Sequence, residues 1–95
     1  MHYIIHCLDK PGSVEKRLAH YEAHKAYLSN PPVDIVVSGP LLADDHETMI
    51  GSCFLIEADS LEAATDFNRN DPFFAVGLWE QISIRPFHKR MDNRE

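Results

Sequence analysis

Two histidines, His20 and His24, stand four residues apart in the stretch RLAHYEAHKAYL. On a helix such a pair meets on one face, which opens two kinds of chemistry: metal ligation and proton transfer. A zinc site takes at least three protein ligands, and no third ligand stands at a telling spacing; His46, in an acidic stretch, joins only if the fold brings it near. No metal and no cofactor are therefore expected. His24 shares its side with Tyr21 and Leu28 and is expected to face the protein interior, either as a packed core histidine or as a base. A carboxylate partner would fix its tautomer and stabilise the imidazolium formed on proton uptake. The acidic candidates are Asp9, Asp34, Asp71 and the pair Asp44–Asp45. Asp71 precedes Pro72 and also reads as a helix cap, since a capping carboxylate followed by proline is a favoured helix start.

Other residues lie where a small ligand would meet the chain. Gly39-Pro40 and Gly51-Ser52 are small-residue points at expected strand ends. They read either as turns or as backbone approaching a ligand, with the Ser52 hydroxyl as donor. His2 and His6 flank Ile4 on one strand face, a partly exposed or interface-lining face; if it lines a cavity, His6 touches the ligand. Cys7 and Cys53 sit inside apolar runs without a CxxC spacing, as buried thiols do in a reducing cytoplasm. No phosphate loop, dinucleotide fingerprint or GxSxG elbow is present.

The elements that must position these groups follow from periodicity. Residues 2–8 read as a strand and Asp9-Lys10-Pro11-Gly12 as a turn. Ser13 caps a helix whose buried stripe is Val14, Leu18, Tyr21 and Leu28, ending before Asn30-Pro31-Pro32. Residues 33–38 form a short strand, Gly39-Pro40 a turn, and residues 44–47 a polar loop. Residues 49–57 form the longest apolar strand. Asp59 and Glu62 have capping-box spacing at the start of a helix burying Leu61, Ala64 and Phe67. A second start at Asp71-Pro72 leads into Phe73 and Phe74, and residues 79–86 alternate as the last strand. The order βαββαβ is the ferredoxin-like α+β pattern. Its antiparallel sheet is covered by helices on one face, leaving a bare face suited to a homodimer that closes into an α+β barrel.

The 95 residues suit a single domain, with residues 88–95 as a solvated tail. A formal charge of −6 argues against a nucleic-acid partner. No apolar run approaches a membrane span, and the first ten residues lack the pattern of a secretory leader.

Three segments, MHYIIHCLDKPGSVEKRLAHYEAH, SGPLL and IGSCFLIEADSLEAATDFNRNDPFFAVGLWEQISIRPF, together resemble the YCII (YciI-like) family over about residues 1–88. The specific matches are Arg17 to His24, Gly39 to Leu41, Gly51-Ser52, the DSLEAA helix start, DPF and RPF. The resemblance implies a dimeric ferredoxin-like barrel and a histidine–aspartate active centre. On matching positions the catalytic pair is His24 and Asp71, with Asp9 in reserve, and Ser52 is the serine of the Gly-Ser motif. Asp9, His6, Ser52, Gly39, Pro40 and Phe73 are the expected substrate-binding residues, with apolar walls from Phe73, Phe74 or Trp79. The chain departs from the commoner pattern at Asn30-Pro31-Pro32-Val33-Asp34, expected to reshape a pocket rim, and at His6, where an aromatic residue is common. The activity implied is that of a cofactor-free lyase acting on a small aromatic substrate: a dehydrochlorinase removing HCl from a chlorinated hydroxyhydroquinone. The competing classes are another cofactor-free isomerase or monooxygenase, a non-catalytic small-molecule binding module, and a structural dimer.

Overall fold

The computed structural model describes residues 1–94. Eight elements follow in the order β1 (His2–Asp9), α1 (Val14–Ala19), α2 (Tyr21–Ser29), β2 (Asp34–Leu42), β3 (Met49–Glu57), α3 (Leu61–Arg69), α4 (Pro72–Ala75) and β4 (Trp79–Phe87). The four strands form one antiparallel sheet in the order β2-β3-β1-β4. This is the expected ferredoxin-like α+β architecture, with β1 and β3 at the centre.

Side chains alternate across each strand, and burial shows which face is covered. Tyr3, Ile5 and Cys7 of β1 and Phe54 and Ile56 of β3 are buried against the helical layer with Ala64, Phe67, Phe73 and Leu78. Burial pushes the Cys7 thiol up to about 12, so it stays protonated at neutral pH. The opposite face carries Ile4, Val37, Cys53 and Leu55 and has no helix over it. These four residues, with Ser38, Gly39 and Pro40, line a shallow apolar depression.

Several local expectations change, among them Leu61, which was expected in the buried stripe of α3 and is 49 % exposed. The first long helix divides at His20, whose φ of −111° and ψ of 9° leave the helical region and end α1 where α2 begins. Val14 and Leu18 are exposed, and the buried positions of these helices are Arg17 and His24. Gly39-Pro40 is not a turn: β2 runs on through both residues to Leu42, with register shifts on either side. Proline fits there because β2 is an edge strand, where a missing N–H leaves no ladder bond broken. The cap of α3 is Ser60, whose hydroxyl accepts from the Ala63 N–H, rather than Asp59. The tail folds back on itself: Asp92 accepts from Arg94 and Lys89, and Arg94 Nη1 lies 3.5 Å from the Val36 carbonyl. Glu95 lies outside the described residues.

Candidate active site

A face at spacings of four, three and four residues runs down α1 and α2 through Arg17, Tyr21, His24 and Leu28. These four residues form one wall of a cleft of about 200 Å³. The other wall comes from Ser38, Gly39 and Pro40 of β2 and from Ser52 and Phe54 of β3. Cavities of roughly 150 Å³ already accept a benzene ring, so the cleft has the size of one substituted six-membered ring.

His24 is held from two directions. Its Nδ1 lies 2.9 and 2.8 Å from the two carboxylate oxygens of Asp71. Its ring stacks on Phe73, with centroids 4.1 Å apart and planes 16° from parallel. A carboxylate only accepts, so the proton on that edge belongs to Nδ1, and Nε2 keeps the lone pair. With Nδ1 turned to Asp71, Nε2 is the nitrogen left for the cleft. Asp71 is 1 % exposed and has a second donor in the Phe73 N–H, at 2.8 Å, as the cap of α4. One carboxylate thus starts α4 and orients the imidazole.

Arg17, which the sequence reading left without a role, is 1 % exposed. Its Nε and Nη2 clamp Asp9 at 2.7 and 2.9 Å, and Nη2 also donates to Ser52 Oγ at 2.9 Å. The guanidinium carbon sits 4.7 Å from the centre of the Phe73 ring, so Phe73 supports both Arg17 and His24. The available sequence signal was the seven-residue spacing from Arg17 to His24, two turns of helix on one face. The apolar stripe drawn through Val14 and Leu18 hid it.

The structure therefore brings His24 to Asp71 and sets Ser52, Gly39 and Pro40 around the same cleft. Asp9 goes to Arg17 instead of His24. His6 lies on the helix-free face of the sheet, on the far side from the cleft, because residue six shares the pleat phase of Ile4. Phe73 is fully buried beneath His24 and does not line the cleft, while Phe74 is exposed. Trp79 packs in the core against Phe54 and Phe73. The apolar walls come from Tyr21, Leu28, Pro40 and Phe54. The Pro31-Pro32-Val33-Asp34 stretch borders a separate groove beside Glu57 and Asp59, so it does not shape the rim of this cleft. His20 sits at the junction of α1 and α2, and among the described residues no three His, Cys, Asp or Glu side chains group to hold a metal ion. Among the described residues no helix is long and apolar enough to cross a membrane.

Comparison with known proteins agrees with this architecture. The protein YciI of Escherichia coli is 36% identical over 96 residues, spanning 94% of this chain and 98% of that protein. An uncharacterized protein of Haemophilus influenzae is 32% identical over the same shares. Among solved structures, the 5-chloro-2-hydroxyhydroquinone dehydrochlorinase of Burkholderia phenoliruptrix, in complex with 2,5-dihydroxybenzoquinone, superposes with a TM-score of 0.83 at 34% identity. That match covers 93% of this chain and 94% of the other. An antibiotic biosynthesis monooxygenase shares the fold alone, with a TM-score of 0.56 at 12% identity. The sequence profile of the YCII-related domain matches residues 1–88, and the chain belongs to that family.

Proposed function

We propose that this protein is a cofactor-free lyase that removes HCl from a chlorinated hydroxyhydroquinone, with His24 as the proton-transfer group and Asp71 as the residue that orients it. The observation that carries this reading is the buried contact between Nδ1 of His24 and both Asp71 oxygens, at 2.9 and 2.8 Å, at the edge of a ring-sized cleft. The similarity to the dehydrochlorinase from Burkholderia phenoliruptrix supports the choice of substrate.

The reaction balances without an outside oxidant. Nε2 of His24 takes the proton of the ring hydroxyl next to the chlorine-bearing carbon and delivers it to that carbon, which becomes tetrahedral. The hydroxyl para to the first then loses its proton. Its electron pair moves through the ring, the carbon–chlorine bond breaks, and chloride leaves. The products are a hydroxyquinone and HCl. Histidine is the side chain suited to taking up and returning a proton near neutral pH, and such catalysis contributes roughly 10²- to 10⁴-fold.

In the same reading a second copy of the chain covers the helix-free sheet face, where Ile4, Val37 and Leu55 line the apolar depression. Paired in this way, the two sheets close into an α+β barrel.

The test is chloride release from chlorohydroxyhydroquinone by the purified protein. Release well above the spontaneous rate is expected, and His24→Ala should lower it by roughly 10²-fold or more while the far-UV circular dichroism stays unchanged. Release no faster than the spontaneous rate from the folded protein rejects the substrate. Undiminished release by the His24→Ala variant rejects the mechanism.

A further inference from the structure

The chain is acidic overall, with 15 Asp and Glu against 9 Lys and Arg. The cleft reverses that balance. Arg17 and Lys25 line it, and among the described residues no carboxylate does. Asp9 and Asp71 act from behind the wall, on the far sides of Arg17 and His24.

The donors left over point to what such a cleft takes. Asp9 and Ser52 occupy Nε and Nη2 of Arg17, while among the described residues Nη1 has no hydrogen-bond partner. Nor is Nη1 among the side-chain polar atoms sealed from solvent without a partner, a condition met only by the Trp79 indole N–H among the described residues. A guanidinium that is 1 % exposed and lines the cleft therefore keeps a donor available there. Ser52 is 2 % exposed, and its oxygen accepts from Arg17, which leaves its own O–H free to donate. Accepting a bond from a cation makes that hydroxyl a stronger donor. Two donors, one of them charged, stand in a cleft with no acidic wall.

We infer that Arg17 Nη1 and Ser52 Oγ–H form an oxyanion clamp, so that the cleft stabilises the phenolate or enolate form of its aromatic ligand and holds an anionic ring more tightly than an uncharged one. The inference rests on the proposed reaction in one respect: the clamped oxygen is the one that gives its proton to His24, and its charge drives protonation of the neighbouring carbon. Asp9 fixes the guanidinium plane from one side and Phe73 supports it through a ring contact, so the clamp is organised before the ligand arrives.

The test compares two chlorine-free probes by equilibrium binding: 2,5-dihydroxybenzoquinone, ionised at neutral pH, and hydroquinone, which is not. Ser52→Ala leaves the Arg17–Asp9 pair intact. Arg17→Lys keeps a cation for Asp9 but removes the planar fork and Nη1. Each variant should weaken binding of the anion by about 10- to 100-fold, the usual effect of one hydrogen bond to a charged group, and leave hydroquinone binding within about twofold. Equal weakening of both probes, no weakening of the anion, or failure of the unaltered protein to bind the anion overturns the clamp. Anion discrimination lost in Ser52→Ala, in a protein that releases no chloride, upholds the clamp and removes the reaction. Chloride release with unaltered kcat/KM in both variants upholds the reaction and removes the clamp.

Discussion

The two jobs of Asp71 can be separated by one atom. Asparagine keeps an oxygen that can accept from the Phe73 N–H, and Asn caps helices about as well as Asp. It cannot offer two acceptors and a negative charge to Nδ1 of His24. Asp71→Asn is therefore expected to lower chloride release by at least roughly tenfold and to shift Tm little. Asp71→Ala should lose the same activity and also unfold earlier. It gives up the cap, worth about 1 kcal/mol, and leaves Nδ1 of a buried histidine without a partner, at about 1–3 kcal/mol. Parallel assays of turnover and thermal denaturation read this difference. An Asp71→Asn variant with full turnover would remove the carboxylate from the mechanism.

Elements fix how closely the strands approach beside the site. Gly51 lies between Leu8 and Leu41 in the ladder, and a Cβ there would stand 2.2 Å from the Cys7 carbonyl oxygen and 3.0 Å from Leu41 Cδ1. A carbonyl in the central strand cannot retreat without breaking the sheet. Gly51→Ala is expected to cost about 1–3 kcal/mol, seen as a fall in Tm of roughly 4–8 °C per kcal/mol. It should also reduce activity, because Ser52 follows directly; an unchanged Tm would contradict the packing described. The hairpin between β2 and β3 is built differently. Asp45 accepts from the Glu47 N–H, the Thr48 N–H and the Thr48 hydroxyl. These bonds, the Thr48 hydroxyl first, hold its carboxyl at about 2 against an ordinary 3.8. Because the folded value is depressed, the contribution of this carboxylate is complete above the ordinary value and is lost as pH falls toward 2. The Thr48 amide resonance should titrate with that low midpoint; a midpoint at roughly 4, as in an unstructured peptide, would show that the turn is open.

At the scale of the whole molecule, one layer of helices covers one face of the sheet, and among the described residues no helix covers the other. Val37 is 50 % exposed there, beside Ile4 and Leu55. If a second copy covers this face, the protein sediments at twice its 10.9 kDa chain mass, and Leu55→Asp yields a folded monomer. A monomer at micromolar concentration in the unaltered protein would reject the barrel. The sequence by itself determined the strand and helix order, because hydrophobic period and capping residues are local properties. Helical phase also brought His24 forward, while Asp71 stood among several candidate carboxylates and was chosen only through the resemblance to the YCII family. The same periodicity misjudged Val14 and Leu18, since a three-to-four spacing fits more than one stripe and only packing chooses between them. Only the tertiary structure decided that Asp9 serves Arg17 rather than His24, and that His6 lies across the sheet from the cleft. It alone placed Arg17 beside Ser52, 35 positions away in sequence. Those outcomes depend on strand register and pleat phase, which set which distant side chains share a face and which are kept apart by the thickness of the sheet.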